Sequence, residues 1–213
     1  TACRVVQVEG NVVVPVAAAS SKEEYSAATL RPKVSAIISK YLNSEEEITE
    51  LKNKISDPQI ESLNEEQAKE YIKKFRTNNR YFDESRFIGG YSHACQKLED
   101  FIKYKLHNYA DMKNDPTCEV QSDLSPYLHF GQISPVYIAN KIKKVLSESA
   151  QEYLEELVVR RELAHNFVMY NNDYARYNSV PAWAKKTLAE HLSDPREHCY
   201  SQKQLEDAQT HDE

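Results

Sequence analysis

The chain opens on an apolar, β-branched stretch. Val5 to Val16 reads VVQVEGNVVVPV, partly alternating, with Gly10-Asn11 as a turn in the middle. That pattern predicts two short strands. No βαβ unit and no repeat accompanies them, so they read as the edge of a sheet whose remainder lies elsewhere. Ser20 to Leu30 is polar and suits a short helix or linker, which Arg31-Pro32 interrupts because proline disfavours helix in the residue before it. Val34, Ile37, Ile38, Tyr41 and Leu42 then recur at helical spacing. From Asn43 to about Asn79 charge dominates, including the run Glu45-Glu46-Glu47, as in a connector with exposed helices.

After Gly89-Gly90 the pattern changes. Ala94, Leu98, Phe101, Ile102, Lys105 and Tyr109 lie three or four apart and predict one long amphipathic helix. Asn114-Asp115-Pro116 marks a turn. Ser122-Asp123 can cap a helix with Pro126 in its first turn, and Ser134-Pro135 repeats the device for a helix over Val136–Leu146. A further helix is expected from about Ala150 to Tyr170, with Leu154, Leu157, Val158, Leu163 and Phe167 on its apolar face. Shorter ones follow from Pro181-Ala182-Trp183 to His191 and from Gln202 to Ala208. At least five helices in the second half make an all-α domain.

Composition sharpens this picture. The 213 residues suffice for one or two domains, and four glycines against 14 tyrosines favour helices over a turn-rich sheet sandwich. A net charge of -6 does not advertise a nucleic-acid binder, so any such reading rests on particular residues. Cys3, Cys95, Cys118 and Cys199 form no CxxC pair, and the seven histidines no HExxH, so neither a disulfide framework nor a metal site is expected; reduced, intracellular surroundings are. No apolar run approaches the ~18 residues of a membrane span. The start at Thr1 has no signal-peptide pattern, and both ends are abrupt, as in a piece of a longer protein.

Three constellations could carry chemistry. Ser122-Asp123-Leu124-Ser125-Pro126 places hydroxyls and unpaired N–H groups at a helix start, an arrangement that suits phosphate but is most often only a cap. Glu155-Glu156-Leu157-Val158-Val159-Arg160-Arg161-Glu162 would ordinarily form surface ion pairs. In so apolar a run, however, Glu156 and Arg160, one turn apart, are candidates for a pocket wall, since buried charges need partners or a ligand. Tyr104, Tyr109, Lys113 and Asn114 combine rings that can stack with a cation that can reach a phosphate. Trp183, the single tryptophan, is expected as a buried aromatic anchor.

Taken together these stretches resemble the class II cyclobutane pyrimidine dimer photolyases, within the photolyase/cryptochrome family, over almost the whole chain. The resemblance is carried by VVPVAAASSKEEYSAATLRPK (Val13 to Lys33), the Gly89-Gly90 helix with Tyr109, and NDPTCEVQSDLSPYLHFGQISP (Asn114 to Pro135). LEELVVRRELAHNFVMYN (Leu154 to Asn171), PAWAKKTLAEH (Pro181 to His191) and YSQKQLEDAQTHD (Tyr200 to Asp212) complete it. It implies a mostly α fold: the first half of a helical FAD-binding domain, preceded by the tail of an α/β Rossmann-like antenna domain. Residues 1–42 would end the antenna domain and its crossover, 43–88 form a charged helical connector, and 89–213 the first half of the catalytic domain.

The resemblance further implies a deoxyribodipyrimidine photo-lyase that uses reduced, anionic FAD to split dimers in UV-damaged DNA, working as a monomer, with an antenna chromophore in the absent N-terminal region. Its compartment would be the cytoplasm and nucleoid of a prokaryote or the nucleus of a eukaryote. Tyr109 and the turn Ser122, Asp123, Leu124, Ser125 match cofactor contacts. Glu156 matches the acid that hydrogen-bonds the dimer, Arg160 a neighbouring lesion contact where some relatives have tryptophan, and Lys113 with Asn114 the loop on the lesion and its phosphate. Lys113 stands where the family commonly has arginine, and His165 replaces a small or acidic residue. A cryptochrome-like photoreceptor without repair activity is the alternative on the same fold, and a cofactor-free helical interaction domain is the third reading.

Overall fold

A computed structural model of the chain describes residues 5, 8–42, 62–75 and 87–210. Its internal contacts divide the chain into two units, 1–170 and 171–213. Among the described residues there is helix and no strand.

The first departure from the expected pattern is at the amino terminus. Residues 6 and 7 lie outside the described residues, but 8–15 turn at Gly10-Asn11 and do not pair as strands. Val12, Val13 and Val14 are buried nonetheless. Their β-branched run reflects burial rather than a sheet: the N–H groups of Val13 and Val14 donate to the Glu162 carboxylate, at 2.9 Å each, instead of to a neighbouring strand. The tail of an α/β domain expected here is therefore not seen.

Helix α1 (Val16–Ala19) leads to α2 (Ala27–Ile37) and α3 (Ser39–Leu42). Pro32 does not interrupt the chain as expected but lies within α2. A proline there forfeits one ladder hydrogen bond. Leu30 and Val34 on either side are almost wholly buried, and that burial holds the helix together. Most of the charged segment 43–88 lies outside the described residues; α4 (Glu65–Phe75) is a surface helix with acids in its first turn and lysines in its last, which complements the helix dipole.

The core of the first unit is built by two long helical runs. The first is α5 (Tyr91–Asp100), a wide π-type turn over Phe101–Lys105, a tight 3₁₀ turn over Leu106–Asn108, and α6 (Tyr109–Met112). Its buried positions are Ala94, Leu98, Phe101, Leu106 and Tyr109. The step of five from Phe101 to Leu106 is out of phase for an α-helix, and the wide turn absorbs it. The second run is α9 (Glu148–Leu154), another wide turn over Glu155–Arg160, and α10 (Arg161–Tyr170). Here Tyr153, Leu157, Val158, Val159, Glu162 and Asn166 are all buried, so the inward face broadens across the wide turn. Beyond the turn Glu162 and Asn166 are buried beside the expected Leu163, which packs part-buried against the core. Between the two runs lie α7 (Ser125–His129) and α8 (Pro135–Lys143), the latter capped by Ser134 Oγ on the Tyr137 N–H. Ile138, Ala139 and Ile142 of α8 are fully buried.

Buried polar groups tie the amino-terminal segment to α10. Asn166 accepts from the Glu24 N–H at 2.7 Å and donates to the Lys22 carbonyl at 3.0 Å. Glu24, also buried, takes hydrogen bonds from Ser20 and Lys33. Lys33 foremost, then Ser20, holds its carboxyl down at about 2. The second unit carries α11 (Ala182–Glu190) and α12 (Gln202–Glu206), which begins with a reciprocal capping box between Ser201 and Gln204. Trp183 is 74% exposed on α11, so the expected buried anchor is not found.

Candidate active site

A cleft of about 420 Å³ opens in the first unit. One side is lined by Ser122, Leu124, Ser125, Leu128 and His129, where the chain enters and runs along α7. Tyr109 and Tyr153 form part of its wall, and Glu156 and Leu157 come from the wide turn before α10. Arg161 and His165 of α10, together with Asn11 of the amino-terminal turn, line the far side. Its volume lies in the range of small-molecule sites.

The wall is stiffened by aromatic packing. The rings of Phe101, Tyr109 and Tyr153 have centroids 4.6 to 5.8 Å apart, two of the three pairs edge-on, the geometry their quadrupoles favour. The Tyr153 hydroxyl donates to Ser122 Oγ at 3.0 Å, and the Leu124 N–H reaches the same oxygen at 3.4 Å. With both lone pairs engaged, the Ser122 hydrogen remains to donate. Burial pushes the Tyr153 phenol up to about 12, so it stays a neutral donor.

Lys113, just past α6, sits between two acids of the second run. Its ammonium is 2.7 Å from Glu152 Oε2 and 3.0 Å from Glu156 Oε1, and 5.9 Å from the centre of the Tyr109 ring. Its pKa is raised by Glu152 and then Glu156, while that of Glu152 is lowered by Lys113. Glu155 of the same turn is held by Arg31 of α2 through two contacts of 3.0 and 2.6 Å.

Of the residues singled out in the sequence, Tyr109, Ser122, Leu124, Ser125 and Glu156 meet in this one cleft, with Lys113 attached through Glu156. Three expectations about this region are corrected. Ser122 and Asp123 do not cap α7, which starts from Leu124 without a side-chain cap. Asp123, in the left-handed region at φ 56°, turns away from the cleft toward Lys105 and Lys97 at 3.5 and 3.9 Å. It lines a neighbouring hollow of about 330 Å³ instead. Arg160 does not share a wall with Glu156: it is on the surface, 3.7 Å from Glu155, and Arg161 takes the lining position. The wide turn is the reason, since residues four apart no longer align there. Glu156 is itself 42% exposed in its side chain rather than sealed in a dry pocket. Asn114 is exposed beside Lys113.

Besides Glu24, Glu162 is a buried acid, only 2% exposed. Its Oε1 receives the Val13 and Val14 N–H groups, while its Oε2 has no hydrogen-bond partner among the described residues. Burial pushes its pKa up to about 7, against the pull of the two N–H groups and Arg161. Burial, then Arg161, lowers that of His165. Glu162, Arg161, His165 and Tyr153 were missed as site residues. The available signal is an acid and an amide, Glu162 and Asn166, four apart and so on one face of α10.

An all-helical unit with an open cleft lined by hydroxyls, aromatic rings and one acid is the class that fold and geometry define. No family model matches the chain. Among curated proteins it is 40% identical over 209 residues to the deoxyribodipyrimidine photo-lyase of Methanothermobacter thermautotrophicus, which covers 97% of this chain and 44% of that protein. It is 39% identical over 221 residues to the protein of the same name from Oryza sativa subsp. japonica, and 37% over 215 residues to that from Arabidopsis thaliana. These matches cover 42% and 43% of the respective relatives. The chain belongs to the photolyase family and spans less than half the length of these relatives.

Proposed function

We propose that this chain contributes part of the flavin and lesion site of a light-dependent DNA-repair lyase of the class II type, which opens cyclobutane pyrimidine dimers in UV-damaged DNA. The observation that carries this reading is the convergence of Tyr109, Ser122, Ser125 and Glu156 on one cleft. The relatives named deoxyribodipyrimidine photo-lyase support it from sequence. The residues present fit a flavin dinucleotide. Ser122 offers an oriented hydroxyl donor and Tyr109 an aromatic edge, and Arg161 a charge suited to phosphate. When bound, reduced anionic FAD supplies one photoexcited electron to the dimer and takes it back after the ring has opened.

The protein's own part is binding and orientation. Tyr109 and the turn Ser122, Leu124, Ser125 hold the cofactor; Asp123 supports that turn through its lysine contacts. Glu156, at the cleft and only part-buried, offers a carboxyl to the base carbonyl of an extruded dimer, which is cheaper to unstack than an intact pair. Lys113 and Asn114 lie beside it as contacts for lesion and phosphate, and Arg160 supplies a surface cation on the same turn. No helix among the described residues is long and apolar enough to cross a membrane. The working form is a monomer on intracellular DNA, in a nucleoid or a nucleus.

The test uses the complete protein loaded with FAD and illuminated with a dimer-containing oligonucleotide. Glu156→Gln keeps the flavin and lowers the repair yield, whereas Ser122→Ala with Ser125→Ala weakens FAD retention. Undiminished repair by Glu156→Gln removes that residue from the mechanism, and a complete protein without flavin or repair removes the function.

A further inference from the structure

Glu162 occupies an unusual place for a carboxyl group. It comes from α10, is shut off from solvent, and reaches back across some 149 residues of sequence to the turn at 10–14. One oxygen accepts two backbone N–H groups, Val13 and Val14, and the other meets no partner among the described residues. The same turn presents Asn11 to the cleft, and Arg161, next to Glu162, donates through Nη1 to the Asn11 carbonyl. The far wall of the cleft is thus a piece of amino-terminal chain fastened to α10 at two adjacent residues, one of them an acid.

We propose that Glu162 is a positioning residue: a proton-bearing clamp that fastens residues 10–14 to α10 and so sets how firmly Asn11 and Arg161 close the cleft over its cofactor. This rests on the flavin reading given above. As a neutral acid, Glu162 can keep one oxygen on both N–H groups inside the protein. As a carboxylate, its second oxygen carries charge into a place with no donor among the described residues, a state that burial penalises and that water relieves only if the turn lifts. Among the described residues the charged groups facing it are few. On its own helix they are Arg161 and His165, and from the amino-terminal segment Glu9, whose carboxylate accepts the Val16 N–H. Helix α1, packed on α10, brings none, and Glu24, one turn further along, is committed to Ser20 and Lys33. Burial together with Glu9 outweighs Arg161 and the N–H groups, so the proton is held to about neutral pH.

Two measurements on the complete protein test this. Retention of FAD, followed by the return of free-flavin fluorescence, falls as pH is raised from 5 to 7 and levels off above that, by at most about tenfold per pH unit for one linked proton. Amide exchange at Val13 and Val14, corrected for intrinsic rates, loses protection over the same range in wild type, with or without FAD. Glu162→Gln, the neutral isostere, flattens both profiles. Glu162→Asp, too short to reach both N–H groups, weakens retention at every pH. The proposal is overturned if Glu162→Gln keeps the wild-type pH step, if His165→Asn removes that step while Glu162→Gln does not, or if Val13 and Val14 stay equally protected throughout. A complete protein that binds no FAD overturns the flavin reading instead, and the exchange experiment still decides the clamp.

Discussion

Replacing Glu162 by glutamine changes the pH dependence of folding by an amount that can be worked from the structure. The unfolded chain releases this proton near 4.5, whereas the folded protein holds it to about 7. Because the folded pKa is the higher, the stabilisation is complete below 4.5, declines between the two values, and is gone above 7. Each pH unit in that window is worth about 1.4 kcal/mol, so the total is about 3 kcal/mol, of which about 2 falls between pH 5.5 and 8. That is a substantial part of a typical stability of about 5–15 kcal/mol. Glutamine does not titrate, so its curve lacks this decline. His165, whose lowered pKa works in the opposite direction, remains in both proteins and cancels in the comparison. Urea midpoints at pH 5.5 and 8 read the effect: at about 2 kcal/mol per molar, wild type loses on the order of 1 M more than Glu162→Gln between the two. Equal losses would refute the argument that burial governs this carboxyl.

Two further predictions concern the core and its amino-terminal tie. Phe101→Ala removes the ring packed against Tyr109 and Tyr153, costs about 3–5 kcal/mol, and lowers the thermal midpoint. Lys33→Met leaves the buried Glu24 carboxylate with only the Ser20 and Thr29 hydroxyls as side-chain partners among the described residues and destabilises by about 2–3 kcal/mol at pH 7. The stabilisation from Glu24 is present above 4.5 and fades as pH falls toward 2, so denaturation midpoints of the two proteins converge in acid.

The helices were legible because their apolar residues recur at regular spacing: α5, α8, α9 and α10 all lie where the pattern put them. So were five residues of the cleft, Tyr109, Ser122, Leu124, Ser125 and Glu156, through the family resemblance. What failed was direction. The valines at 12–14 read as strand because β-branched burial looks alike in a sheet and under a helix. Arg160 was placed beside Glu156 by counting four residues per turn through a stretch that winds more widely. Asp123 was read as a cap, but its left-handed backbone swings the side chain toward lysines on the first long run. Glu162 belongs to the charged run that reads as buried, yet spacing singles out Glu156 and Arg160 there; only tertiary structure reveals the backbone donors that meet Glu162.

The wide turn at Glu155–Arg160 has a consequence for how the chain tolerates change in length. It accommodates one residue more than a regular helix would, and so works as a phase shifter: beyond it Arg161 and His165 stay on the cleft while Glu162 and Asn166 turn to the amino-terminal segment. Removing a single residue here would restore uniform winding and cost few hydrogen bonds. It would also swing Glu162 and Asn166 about a quarter-turn off their backbone partners, so at this point a deletion is graver than most substitutions.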